Sequence, residues 1–200
     1  MTLGKILNAI YEQDFLKCSF GFRPGRGCHD VLKVLDNILN MKEINYVVDV
    51  DIKGFFDNVD HGWMKKFIEH RIADPNLIRW ITRFLRAGIM DAGISYETHE
   101  GTPQGGPCSP ILGNIYLHYV IDIWFEKHIR KICRGKAYMI RYADDNVFCF
   151  QYEKEAKKFY TTLKERLKKF NLFLKKYPFP RPTTYVNIFD IGIGRSYLSK

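Results

Sequence analysis

The sequence predicts an α+β fold, in which an antiparallel β-sheet has helices packed on one face. Residues 46–52 (YVVDVDI) alternate in the manner of a β-strand. Residues 137–150 (AYMIRYADDNVFCF) indicate a strand, a tight turn and a second strand, because β-branched and aromatic residues flank the short stretch at 142–145. Segments 28–42, 109–128 and 156–170 repeat apolar residues at helical spacing. An antiparallel sheet accommodates this order and brings the first strand beside the hairpin.

Local signals place the remaining helices and divide the chain. Asp60 is the expected N-cap of a helix at 61–71, and Asp74 followed by Pro75 marks the start of the next helix. Residues 1–174 form one predicted domain. From residue 175 the sequence changes character, since residues 177–182 hold three prolines and the remainder shows no sustained period. We expect residues 175–200 to be an irregular tail.

The composition favours a nucleic-acid partner. Thirty-one lysines and arginines against 22 aspartates and glutamates give a net charge of +9, although a basic protein without such a partner has the same balance. No apolar run approaches membrane-spanning length, so no membrane partner is expected. The N-terminus is too short and polar for a signal peptide. Five scattered cysteines without a C-x-x-C pair predict a reduced, cytoplasmic setting.

Three carboxylates form the candidate chemical centre. Asp51 ends a strand otherwise rich in Val and Ile, whereas Asp144 and Asp145 occupy the tip of the hairpin. Because a buried unpaired carboxylate is costly and adjacent carboxylates repel, a divalent cation is the expected partner. A solvated Asp-rich turn is the alternative for the hairpin alone. With Asp51 on a neighbouring strand, two magnesium ions about 3.5–4 Å apart would activate a 3′-hydroxyl and stabilise a leaving pyrophosphate.

Two glycine-rich loops are candidates for substrate contact. Residues 19–27 contain three glycines together with Arg23 and Arg26, whose guanidinium groups are able to fork onto phosphate oxygens. An ordinary loop between helices is the alternative. Residues 101–107 (GTPQGGP) offer backbone amides and the side-chain amide of Gln104. Neither loop is decisive alone.

Taken together, these segments resemble the reverse transcriptase domain of group II intron-encoded proteins. The resemblance covers residues 1 to about 174, with the segments in the family's order and at its approximate spacing. The matching segments are SFGFRPGRGCHD (19–30), DVDIKGFFDNVDH (49–61), GTPQGGPCSPILGNIYL (101–117) and IRYADDNVFCF (140–150). One such motif is weak evidence, but four in register are specific. The resemblance implies a polymerase palm with partial fingers, and RNA-directed DNA synthesis linked to intron splicing and mobility.

The resemblance also implies a metal site and its partners. Asp51 and Asp144 match the two principal magnesium ligands, Asp145 completes the carboxylate set, and Ile52 lends a backbone carbonyl. Manganese is the expected substitute ion. The implied partners are an RNA template, a DNA primer, dNTPs and intron RNA.

Further roles follow from the same resemblance. Phe56 stands where the family places the ring that excludes a ribose 2′-hydroxyl. Gln104 and Gly105 match the loop that packs against the incoming nucleotide. Arg23 and Arg26 lie in the fingers segment that approaches the template.

Two pieces that the family normally has are expected to be missing. A basic fingers segment that grips the triphosphate would precede residue 1, and a strand ending in Lys-Thr, a helical thumb and a maturase region would follow Leu174. Pro178 and Phe179 fall near the place of Lys-Thr, so we expect a frameshift or truncation near Lys175. Two alternatives to an active reverse transcriptase stay open: a non-catalytic fragment that binds intron RNA, and a decayed gene product.

Overall fold

A four-stranded antiparallel sheet forms the centre of the fold, with residues 137–142, 145–150, 46–51 and 181–182 as neighbouring strands in that order. The computed structural model describes residues 2–41, 43–86, 90–91, 94–95, 100–102, 106, 108–175 and 181–182. The helices in chain order are α1 (Thr2–Tyr11), α2 (Cys28–Leu39), α3 (His61–Glu69), α4 (Pro75–Arg86), α5 (Ser109–Leu117), α6 (Arg130–Ile132) and α7 (Glu153–Lys169). The strands are β1 (Tyr46–Asp51), β2 (Met90–Asp91), β3 (Ile94–Ser95), β4 (Ala137–Tyr142), β5 (Asp145–Phe150) and β6 (Arg181–Pro182).

Strand β1 separates two hydrophobic cores, because alternate side chains of a strand point to opposite faces. Val48 and Val50 are buried in the larger core, together with apolar residues of α5 and α7. Val47 is buried in the smaller core, which α2 covers with Val31 and Leu35. The prediction of an α+β palm is confirmed, and α2 additionally packs on the second face of the sheet.

The predicted helix starts are confirmed. Asp60 caps α3 by accepting a hydrogen bond from the Trp63 amide at 2.7 Å, and Asp74 accepts one from the Asn76 amide at 2.8 Å. The helix predicted at 109–128 continues to residue 132 without a break. It includes two π-helical segments, His118–Asp122 and Phe125–Ile129. No described helix combines the length and apolar character needed to cross a bilayer.

The prediction of an irregular tail is wrong for residues 181–182. These residues form β6, which pairs antiparallel with β1 through Tyr46 opposite Pro182 and Val47 opposite Arg181. An edge strand tolerates proline, because its missing N–H leaves no central hydrogen bond broken. Residues 176–180 and 183–200 lie outside the described residues, so the domain boundary at 174 stays a prediction.

Candidate active site

The hairpin between β4 and β5 has a two-residue turn. Tyr142 pairs with Asp145, which leaves Ala143 and Asp144 as the connecting residues. Ala143 has a φ of 55°, in the left-handed region that non-glycine residues seldom occupy. The side-chain amide of Asn146 donates to the Asp144 carbonyl at 2.6 Å. This strained conformation fixes where the Asp144 side chain leaves the turn.

The register of the sheet brings the predicted carboxylates together. Asp51 of β1 lies directly opposite Asp145 of β5, so the two side chains are cross-strand neighbours. Burial raises the pKa of Asp144, and the charges of Asp145 and Asp51 raise it further, whereas a backbone hydrogen bond and Lys175 lower it. These three carboxylates, the carboxylate cluster, therefore repel one another across a partly buried site.

Lys175 supplies positive charge to the carboxylate cluster. Its ammonium group lies 2.8 Å from the Asp51 carboxylate, with the Lys175 side chain half exposed. Its backbone amide also donates to the Asp51 carbonyl at 2.9 Å. Lys175 follows Leu174, which bridges to Ile52. A cation bound at Asp51 would have to compete with this ammonium group.

The donor set of the carboxylate cluster suits a hard divalent ion. All its side-chain donors are oxygen atoms, and magnesium takes oxygen ligands while retaining several waters. Burial is the main cause that raises the pKa of Asp144, and added positive charge would offset both this burial and the repulsion from Asp145 and Asp51. Within the described residues, no group of three or more His, Cys, Asp or Glu side chains is already spaced to hold a metal ion. Two carboxylates, the Ile52 carbonyl and substrate phosphates would therefore have to complete the coordination.

Arg141 holds the turn at Ala143 and Asp144 in place through a buried hydrogen-bond network. Its guanidinium group, fully buried, donates to both carboxylate oxygens of Asp122 at 2.8 and 2.7 Å. It also donates to Asn114 Oδ1 at 2.8 Å, to Ser19 Oγ at 2.8 Å and to the Ala143 carbonyl at 3.0 Å. The network therefore connects the turn at Ala143 and Asp144 to the helix at 109–132 and to the loop that begins at Ser19. In the sequence, this network is indicated only by the position of Arg141, a single charged residue in an otherwise apolar and aromatic strand.

The loop at 18–23 packs directly against the turn at Ala143 and Asp144. The Phe20 amide donates to the Arg141 carbonyl at 2.9 Å, and the Gly21 carbonyl accepts from the Asn114 amide at 2.8 Å. A Cβ atom on Gly21 would lie 2.3 Å from the Ala143 backbone nitrogen. Such a contact is far inside van der Waals distance, so only glycine permits this approach.

The Arg23 side chain is buried and bonded to groups of its own loop and of Glu12. It is 7% exposed, and its guanidinium donates to Glu12, to the Leu16 carbonyl and to the Ser19 carbonyl. The Glu12 carbonyl accepts its remaining N–H at 3.4 Å. A guanidinium group has five N–H donors, and all five are occupied. The Arg23 side chain therefore holds the loop in place, and its predicted template contact stays a prediction.

Arg26 is more accessible than Arg23. One terminal nitrogen donates to the Lys17 and Ser19 carbonyls at 3.0 and 3.1 Å, and the guanidinium carbon lies 5.3 Å from the Phe20 ring centroid. The side chain is partly exposed. Its predicted template contact stays a prediction.

Phe56 and Ile52 lie at the end of β1, as the sequence predicts. Ile52 is buried in the larger core, and Phe56 belongs to a 3₁₀-helical turn, Phe55–Asp57. The Phe56 ring is partly exposed and packs edge-on against Phe55 at 4.9 Å. Gly113 of α5 leaves room for both rings, since a Cβ there would lie 3.0 Å from each. The position suits a ring that limits the space beside a nucleotide.

Gln104 and Gly105 lie outside the described residues. The chain that leads to them is held close to the Phe56 turn. The Gly101 amide donates to the Val59 carbonyl at 2.9 Å, and the Thr102 amide donates to the Phe56 carbonyl at 2.8 Å. The loop therefore starts beside Phe56, and the roles of Gln104 and Gly105 stay predictions.

An antiparallel sheet that presents carboxylates at a hairpin tip and at the end of the adjoining strand, with helices behind it, defines a palm-type polymerase. The chain belongs to the reverse transcriptase (RNA-dependent DNA polymerase) family, whose sequence pattern matches residues 1–177.

Relatives with curated sequences include proteins encoded in introns. The chain is 43% identical over 113 residues to the group II intron-encoded protein LtrA of Lactococcus lactis, a match that covers 56% of this chain and 18% of LtrA. It is 40% identical over 113 residues to an uncharacterized 91 kDa protein in a cob intron of Schizosaccharomyces pombe, covering 56% of this chain and 14% of that protein. Protein YkfC of Escherichia coli is 31% identical over 126 residues, 62% of this chain and 33% of YkfC. The chain thus spans a minor part of each relative.

Solved structures with the same fold include telomerases. A telomerase from Candida albicans superposes with a TM-score of 0.68 at 12% identity, covering 88% of this chain and 33% of the telomerase chain. The apo telomerase of Candida tropicalis gives a TM-score of 0.61 at 15% identity, over 87% of this chain and 34% of that chain. At these identities the likeness concerns the fold alone.

Proposed function

We propose that this chain carries the palm active site of a group II intron-type reverse transcriptase, which extends a DNA primer on an RNA template with dNTPs in support of intron splicing and mobility. One observation carries the proposal: the sheet register sets Asp51 opposite Asp145, next to the strained turn that presents Asp144. Family membership and the relatives from group II introns support the same activity. A cytoplasmic location, as the cysteine pattern predicts, belongs to this proposal.

The chain's own residues would hold and orient the reacting groups. Two bound magnesium ions, replaceable by manganese, would supply Lewis-acid activation of the primer 3′-hydroxyl and neutralise charge on the leaving pyrophosphate. Asp51, Asp144 and the Ile52 carbonyl would bind them, and Asp145 would add negative charge beside them. Because phosphoryl transfer depends on positioning and electrostatics, no nucleophilic side chain is required.

Nucleotide and template selection would come from residues around the carboxylate cluster. Phe56 would exclude a ribose 2′-hydroxyl, since its partly exposed ring closes the space beside α5. Gln104 and Gly105 would contact the incoming nucleotide from the loop that starts at Gly101. Arg26 would meet the template phosphates.

A non-catalytic protein that binds intron RNA is the second candidate. The ion pair between Lys175 and Asp51 favours it, because the pair occupies a carboxylate that catalysis needs for metal. Both candidates require RNA binding, and only the first requires the carboxylates.

Primer extension on an RNA template tests the proposal directly. The wild-type chain is expected to add dNTPs in magnesium or manganese, and Asp144→Ala is expected to abolish extension while RNA affinity is retained. Absence of extension by the wild-type chain, with RNA binding unaffected by Asp144→Ala, would favour the second candidate.

A further inference from the structure

Helix α4 presents an outer face that the proposed catalytic site does not use. Asn76, Arg79, Trp80, Arg83 and Arg86 are all exposed, and positions 79, 83 and 86 follow one stripe of the helix. No acidic residue occurs between Pro75 and Arg86. We call Arg79, Trp80, Arg83 and Arg86 the α4 face. It joins three positive charges and one large aromatic ring.

Trp80 is unusual in being 59% exposed. The Arg83 guanidinium carbon lies 5.8 Å from the centroid of its ring, and Arg79 donates to the Asn76 side chain at 3.1 Å. A tryptophan in such a position offers an open ring surface to a ligand. Arginines beside the ring are suited to phosphate oxygens, because their planar donor groups match phosphate geometry.

We propose that the α4 face is a binding surface for structured RNA, on which an unpaired base stacks on Trp80 while the three arginines contact neighbouring phosphates. The seven helical steps from Arg79 to Arg86 span about 10 Å along the helix axis. A nucleic-acid strand carries one phosphate per roughly 3.4 Å of duplex axis, so about three phosphates fall within reach. This inference rests on the proposed function and adds a second contact to it, separate from the carboxylate cluster.

Charge and apolar content distinguish RNA from other occupants of the α4 face. A membrane surface would need an apolar helix face, but Ile81 and Leu85 of α4 are already buried in the larger core. Aromatic rings interleaved with arginines are typical of surfaces that bind single-stranded RNA segments through stacking and phosphate contact. An acidic protein is the competing occupant, and RNA affinity that does not depend on the α4 arginines would exclude RNA in its favour.

The test is fluorescence anisotropy with two labelled RNAs, a hairpin with an unpaired loop and a fully paired duplex. The variant Arg79→Gln/Arg83→Gln/Arg86→Gln is compared with Lys154→Gln/Lys158→Gln/Lys168→Gln, three exposed lysines of α7 that give the same change in net charge. The α4 variant is expected to weaken hairpin binding at least tenfold and to lower the salt slope by about 2–3. The α7 variant is expected to weaken it less than twofold.

Trp80→Ala examines the stacking contact separately. It is expected to weaken binding of the looped hairpin by about fivefold or more, with little effect on the duplex, whereas Trp80→Phe retains most of the affinity. Circular dichroism melting of every variant checks that the fold is intact.

Three results would overturn the inference: equal weakening by the two triple variants, no weakening by either, or no RNA binding by the wild-type chain. Primer extension separates this outcome from the fate of the proposed function. If the wild-type chain extends primers and the α4 variant binds RNA as tightly as the wild-type chain does, the polymerase proposal stands. The proposal that the α4 face binds RNA would then be wrong. If RNA binding depends on the α4 face but the wild-type chain does not extend primers, the α4 face stands as an RNA-binding surface and the polymerase proposal fails.

Discussion

Asp122 and the carboxylate cluster are both acidic and both at least partly buried, yet their surroundings differ. Both oxygens of Asp122 accept hydrogen bonds from Arg141, whose other donors are satisfied by Asn114, Ser19 and the Ala143 carbonyl. In the carboxylate cluster, burial and then the acidic neighbours raise the pKa of Asp144, and the lysine beside Asp51 is half exposed. The charge of Asp122 is paired with Arg141, so this carboxylate stabilises the fold. In the carboxylate cluster, adjoining negative charges favour the binding of a cation.

The largest expected effect comes from breaking the compensated site. Arg141→Ala leaves the Asp122 carboxylate buried without its partner, which typically costs about 3–5 kcal/mol. We expect the free energy of unfolding, measured by urea denaturation, to fall by that amount. The matched control is Arg130→Ala, which removes an exposed ion pair with Glu126 and should change stability by roughly 0.5 kcal/mol or less. Equal effects would contradict the structural role of Arg141.

Gly21→Ala tests how tightly the loop at 18–23 is packed against the turn at Ala143 and Asp144. The added methyl group would meet the Ala143 backbone nitrogen at 2.3 Å, so the turn or the loop must move. Overpacking of this kind costs about 1–3 kcal/mol. We also expect weaker Mn²⁺ binding, measured by electron paramagnetic resonance, because Asp144 moves with the turn.

Gly27→Ala is the control for this substitution. Gly27 has a φ of −101°, and its added Cβ atom meets only the Asp30 carboxylate at 3.6 Å. Because Gly27 is the N-cap of α2, where alanine is less favourable than glycine, stability is expected to fall by less than about 1 kcal/mol, and Mn²⁺ binding is expected to stay at the wild-type value. If Gly21→Ala behaves in the same way as Gly27→Ala, the close approach at Ala143 does not shape the site.

Asp144→Asn is expected to stabilise the metal-free protein at neutral pH. Since the folded state raises the pKa of Asp144, the stabilisation from its bound proton is present at acidic pH and lost as pH rises through the native pKa. The amide removes that loss, so the melting temperature at pH 7 should rise by about 2 °C. The gain should shrink as pH falls, and Asp36→Asn, at an exposed position of α2, should show neither effect.

The smallest expected effect concerns the ion pair at Asp51. Lys175→Ala removes a half-exposed pair, which contributes roughly 0–1 kcal/mol, so the stability of the metal-free protein should change little. Mn²⁺ binding should tighten by up to about fivefold, because the ion no longer competes with an ammonium group. Calorimetric titration of the two proteins measures the difference, and unchanged affinity would show that Lys175 does not oppose metal.

The sequence predicts the parts of the site that are set by local pattern. Alternation over residues 46–52 and the hairpin at 137–150 place Asp51 and Asp145 on adjacent strands, and the sheet register confirms that they are neighbours. The role of Arg141 depends on contacts between distant segments, whereas Arg23 bonds to carbonyls of its own loop and to Glu12, 11 residues before it. The N–H donors of Arg141 bond to groups that include Ser19 and Asp122. No local period reveals which arginine is buried.

The Arg141 network also constrains the order in which the chain becomes stable during synthesis. Ser19, Asn114 and Asp122 all leave the ribosome before their shared partner, Arg141. Until residue 141 emerges, Asp122 lies on an apolar helix without the cation that compensates it, and the loop at 18–23 has no strand to bond. A nascent chain arrested before residue 137 should therefore be sensitive to proteases along its whole length, and protection should appear only after β4, β5 and α7, which completes the larger core, have emerged.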